Sequence, residues 1–94
     1  MSKEYYRNLI ARKRTEITGL RAKIATIKVN KANKMKSLAN AIKSTTSASS
    51  KTSYRQQKIR ETARYTNEIE SVQKQIESKK KEMENYKKAL AREK

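Results

Sequence analysis

The sequence predicts an all-α fold, an antiparallel two-helix hairpin packed like a coiled coil. Three observations predict it. There is no Pro, Cys, His, Trp, Phe or Asp and a single glycine, Gly19, whereas the turns of a compact β-domain need Gly, Pro, Asn or Asp and its strands favour aromatics. Apolar residues recur every 3.5 positions through two long segments. Between those segments, residues 44–53 carry eight Ser or Thr in ten positions, a natural break in an otherwise helix-favouring chain. Ninety-four residues, 34% hydrophobic and 36% charged, allow one small domain at most.

The first helix is expected over residues 3–43, where Lys, Arg, Ala, Ile and other good helix formers dominate. With Ile10 taken as an a position, the a series reads Lys3, Ile10, Ile17, Ile24, Lys31, Leu38 and the d series Tyr6, Lys13, Leu20, Ile27, Lys34, Ala41. Past Ile27 the stripe drifts toward Met35, Leu38 and Ile42, a four-residue stutter that locally unwinds a supercoil. Ser2 is placed to cap this helix. The Ser/Thr-rich stretch 44–53 is expected as the turn. Thr52 or Ser53 then caps a second helix over 54–94. Its a series is Thr62, Ile69, Ile76, Met83, Leu90 and its d series Tyr65, Val72, Lys79, Tyr86.

Folding the arms back about Ala48 sets each a position against a d position. It pairs Tyr6 with Leu90, Ile10 with Tyr86, Leu20 with Ile76, Ile24 with Val72, Ile27 with Ile69 and Lys31 with Tyr65. A seven-residue slip would also match a to d, but this register centres the reversal on Ala48, in the middle of the Ser/Thr stretch. Lys13 then faces Met83 and Lys79 faces Ile17, so both lysines are expected to carry their stems along the seam and their ammonium groups out of it. A hairpin buries only one stripe per helix, which does little against the entropy of ordering two long arms. Tyr5, Leu9, Met35, Ile42, Ile59 and Ala63 lie off the seam, as if for a second contact face. The hairpin is therefore expected to be part of a larger helical bundle completed by a partner.

Twenty-five Lys and Arg against nine acidic residues give a net charge of +16. Arg7, Arg14, Arg21 and Lys28 fall on successive e positions, and the fold-back register brings Lys80 and Lys87 to the same edge, with no anion among them. The opposite edge carries Glu16, Glu61, Glu68 and Glu82, with Lys23 as a partner. A one-signed edge repels itself and calls for a complementary acidic surface. A larger acidic helical protein is the partner expected first. A phosphate backbone, bound without sequence specificity, is the alternative; self-assembly through the apolar stripes is a third possibility. No helix-turn-helix, zinc-finger or RNP-type aromatic motif is present to read a base sequence.

Catalysis is not expected. His, Cys and Asp are absent, and so are the Gly-rich turns of nucleotide-binding loops. No cofactor or metal is expected either. The longest apolar run is Leu9-Ile10-Ala11, so neither a signal peptide nor a membrane span is expected, and the chain reads as soluble and cytoplasmic.

The opening pattern Tyr6-x-x-Leu9, Ile17-x-x-Leu20, Ile24-x-x-Ile27, with two helices about a Ser-rich centre, resembles the small helical proteins that accompany LXG-type substrates of bacterial type VII secretion, relatives of the WXG100 hairpins. The resemblance implies an accessory, adaptor or chaperone that pairs side by side with the helical targeting domain of a larger toxin, and co-export with that secreted partner. It implies a shared interface of Ile10, Ile17, Leu20, Ile24 and Ile27 with Ile69, Val72, Ile76, Met83 and Tyr86. The chain departs from the pattern in lacking a Trp-x-Gly turn. It also lacks a Tyr followed four residues later by an acid: Tyr65 is followed by Ile69 and Tyr86 by Leu90.

Overall fold

The computed structural model describes residues 2–93. It is an antiparallel helical hairpin of two helices, α1 (Lys3–Ser44) and α2 (Ala48–Arg92), with no strand among the described residues. Ser2 caps α1 as expected: its Oγ accepts the Tyr5 N–H at 3.2 Å. Glu4 in the first turn and Lys43 in the last complement the helix dipole.

The reversal is shorter than expected. It occupies Thr45, Thr46 and Ser47 rather than 44–53, and α2 begins at Ala48, six residues before the expected start. Ser47, not Thr52 or Ser53, is the cap, its Oγ accepting the Ser50 N–H at 3.2 Å. Thr45 steadies the link by accepting the Ser47 N–H on its Oγ1 at 3.3 Å. The remaining hydroxyl residues are absorbed by the helices. Ser44 Oγ donates to the Asn40 carbonyl at 2.8 Å and Thr52 Oγ1 to the Ala48 carbonyl at 3.1 Å, so these side chains need no break in the backbone. No described residue has a positive φ, which is how the chain reverses without glycine. At the far end the Glu93 N–H bonds the Leu90 carbonyl at 3.1 Å; the expected terminus at Lys94 lies outside the described residues.

The chain divides into two compact units, each containing part of both helices. One joins α1 up to Lys23 with α2 from Ser71. Its core is Ile10, Ile17, Val72 and Ile76, and Val72 is the most buried of them at 3% exposure. Lys13 meets Glu82 and Glu16 meets Lys79 across the helices. Both pairs fall within one residue of the expected register and exclude a seven-residue slip in this unit.

The other unit, Ile24–Glu70, contains the reversal, and its core is Ile27, Leu38 and Tyr65. Here too the register holds to within one residue: Thr62 Oγ1, which donates to the Lys58 carbonyl at 2.7 Å, lies 3.4 Å from Met35 Sδ. The buried and half-buried stripe of α1 runs Ile27, Lys31, Met35, Leu38, Ile42, the drift expected from the sequence. A second drift was not foreseen. Before Tyr65 the α2 stripe passes through Glu61, Lys58 and Tyr54, while Thr62, expected on the seam, is exposed. Ile27 to Leu38 and Lys58 to Ile69 are both eleven-residue steps, close to the natural winding of an α-helix. Facing stripes stay matched only if both change period, so a stutter in α1 needs its counterpart in α2.

Candidate interaction surface

The fourteen residues expected to form the helical interface are Tyr6, Ile10, Ile17, Leu20, Ile24, Ile27, Leu38, Tyr65, Ile69, Val72, Ile76, Met83, Tyr86 and Leu90, and none of them is exposed. They fall into two groups. Ile10, Ile17, Ile27, Leu38, Tyr65, Val72 and Ile76 are buried within the hairpin. Tyr6, Leu20, Ile24, Ile69, Met83, Tyr86 and Leu90 are half-buried and keep apolar surface outward. Of the residues expected to form a second face, Leu9, Met35 and Ile42 are half-buried instead, while Tyr5, Ala63 and Ile59 are exposed, Ile59 at 71%.

The cationic edge is assembled in part. In the unit that pairs α1 up to Lys23 with α2 from Ser71, Arg14, Thr18 and Arg21 of α1 and Lys80 of α2 border a groove of about 240 Å³ with Ile17 and Met83. Heptad spacing explains the first three: Arg14 and Arg21 lie two turns apart on one face, and Thr18 falls between them. Arg7 and Lys87 are exposed but do not line this groove; Lys28 is exposed and belongs to the other unit. The edge is not free of anions, as the sequence suggested. Glu77, one turn before Lys80, approaches its ammonium at 3.6 Å.

The same unit also carries an alternating cross-helix network. Lys13 contacts Glu82 and, at 3.4 Å, Glu16; Glu16 in turn contacts Lys79 at 3.3 Å. Carboxylates on the facing helix catch the ammonium groups of Lys13 and Lys79, whose side chains are 13% and 33% exposed. Lys79, and then Lys13, hold the Glu16 carboxyl below its ordinary 4.5 against partial desolvation. Glu82, and then Glu16, hold the Lys13 ammonium above its ordinary 10.5. Glu61 and Glu68 sit in the other unit, both on Arg64, at 2.7 Å and 3.0 Å. Arg64 also stacks over the Tyr65 ring, 4.4 Å from its centroid. Glu16 is thus paired by Lys13 and Lys79; Lys23, expected as a partner for the edge that carries Glu16, Glu61, Glu68 and Glu82, is exposed.

Sequence reading passed over Thr18 and Glu77 at the groove. Spacing could have found both, since Thr18 lies four residues after Arg14 and Glu77 three before Lys80. Among the described residues no helix is long and apolar enough to cross a membrane, and no three His, Cys, Asp or Glu side chains come together as a metal set. No protein-family model, curated protein or solved structure matches the chain.

Proposed function

We propose that the chain is a non-enzymatic interaction protein, a helical hairpin that serves as accessory, adaptor or targeting subunit to a larger acidic helical protein. A partner of the LXG toxin type, as the sequence resemblance implies, fits this reading. One observation carries it: seven apolar seam residues, Tyr6, Leu20, Ile24, Ile69, Met83, Tyr86 and Leu90, are incompletely covered by the two helices. An additional helix laid on the hairpin buries that remainder without opening the core. The core residues Ile10, Ile17, Ile27, Leu38, Tyr65, Val72 and Ile76 stay within the hairpin, so a shared interface draws on the half-buried set.

A second reading, binding to DNA or RNA without sequence specificity, is favoured by the net charge of +16 and the exposed Arg7, Arg14 and Arg21. Salt separates the two. In affinity purification from its native cells, an acidic helical partner held through apolar contacts remains bound at about 1 M salt. It is lost from Ile24→Asp and from Leu90→Asp proteins whose helicity by circular dichroism is unchanged. A complex that nuclease dissolves, whose affinity falls with salt with a log–log slope of several units, and that Arg7, Arg14, Arg21 and Lys28→Glu abolishes, favours nucleic acid instead.

A further inference from the structure

We infer that the groove between Arg14, Arg21 and Lys80 is the docking site for one acidic amphipathic helix of the partner, carrying two carboxylates seven residues apart with an aliphatic side chain between them. The inference rests on the reading that the chain binds a helical protein, and adds where that contact lies and what sequence pattern it selects.

The groove has the two surfaces such a helix needs. The half-buried Met83, beside the buried Ile17, supplies the accessible apolar floor, and its unbranched thioether adapts to the shape laid on it. The Thr18 hydroxyl already donates to the Arg14 carbonyl at 3.0 Å, so that wall presents no unmet donor. Above the floor stand three cations. Among the described residues no carboxylate forms an ion pair with Arg14 or Arg21, and the one beside Lys80, Glu77, is itself 73% exposed and loosely held.

Spacing selects the ligand. Arg14 and Arg21 are separated by about 10.5 Å along α1 and lie on nearly one face. A helix running beside α1 repeats at the same interval, so its residues i and i+7 reach the two guanidinium groups. Its residue i+3 or i+4 then lies over Ile17 and Met83. Glu at the outer positions and Leu or Ile at the inner one complete the fit. A phosphate backbone meets the cations but leaves the apolar floor unmatched. A neutral helix desolvates three charges without pairing them. A second copy carries the same net charge of +16 and is repelled as a whole.

The test uses the full chain and a labelled, Ala-rich helical peptide of about 25 residues with Glu at i and i+7 and Leu at i+3 and i+4, followed by fluorescence anisotropy. Arg14→Glu and Arg21→Glu are each expected to weaken binding on the order of tenfold, and replacing both peptide Glu residues by Lys to restore it to the double variant. Changing the peptide Leu residues to Gln weakens binding by roughly tenfold or more. The control Lys34→Glu with Lys36→Glu, of equal charge change in the other unit, leaves affinity within about twofold. Equal losses from control and groove variants, or indifference to the peptide Leu, overturn the inference, as does duplex DNA that binds with the same Arg14 and Arg21 dependence and displaces the peptide. If the native partner stays bound to the Arg14→Glu, Arg21→Glu protein at high salt, the groove assignment falls and the helical-partner reading stands. Recovery of nucleic acid alone removes both.

Discussion

Lys13 and Lys79 occupy seam positions where a coiled coil favours aliphatic residues, and the structure accommodates them through charge. Lys13, its side chain 13% exposed, lays its stem over the seam and ends between Glu82 and Glu16. The pH dependence follows from the direction of each shift. The folded Glu16 carboxyl titrates below its ordinary 4.5, so its contribution is fully present above that pH and is lost as the pH falls through the lowered value. The folded Lys13 ammonium titrates above its ordinary 10.5, so its contribution is present below that pH and is lost as the pH rises through the raised value. Thermal unfolding followed across pH is therefore expected to weaken at both extremes. In Glu16→Gln protein the acid limb should flatten; an unchanged acid limb would show that the network does not stabilise the fold.

Each helix shows where propensity has been set aside. Gly19 sits in the middle of α1 with helical φ and nothing within 4 Å of where a Cβ would stand. Nothing in the fold requires a glycine there. Gly19→Ala is expected to stabilise the hairpin by about 0.5–1 kcal/mol in urea denaturation, because alanine loses less backbone entropy on entering the helix. The reversal gives a paired prediction. Ser47→Ala removes the α2 cap and should cost about 1 kcal/mol, whereas Ser53→Ala, an exposed position inside α2, should be neutral or slightly stabilising. The opposite order would restore the longer turn that composition alone suggests. Ser and Thr are weak breakers: with no Pro or Gly beside them, their hydroxyls bond the carbonyl four residues back and the helix continues.

For the molecule as a whole, a net charge of +16 is the dominant electrostatic fact. Exposed ion pairs such as Arg64 with Glu68 contribute little and are weakened by salt. The repulsion among unbalanced lysines and arginines is screened by the same salt and acts over a longer range. Repulsion wins this comparison, so the melting temperature of the isolated protein is expected to rise as salt increases from about 0.02 to 0.5 M. A fall would mean that the ion pairs outweigh the net charge. The same screening weakens attraction to a polyanion while leaving apolar seam contacts intact, so salt tests fold and partner class by separate readouts.

Helix content, the antiparallel pairing and its register are all legible in the chain, because each depends on spacing alone: the 3.5-residue apolar repeat, the single change of composition at residues 44–53, and the need for a to meet d. Local hydrogen bonding is legible only where one option exists, as at Ser2. Among eight Ser and Thr residues with equivalent chemistry, the structure selects Ser47, since the cap is whichever hydroxyl stands one residue before the first helical turn that packs. Only the tertiary structure decides the matched stutter of α2 at Glu61 and Lys58, the capture of Lys13 and Lys79 by facing carboxylates, and which part of the cationic edge, Arg14, Arg21 and Lys80, borders a groove with Ile17 and Met83. Those features depend on the phase of one helix against the other, to within a fraction of a turn. A heptad pattern read along one strand carries no information at that precision.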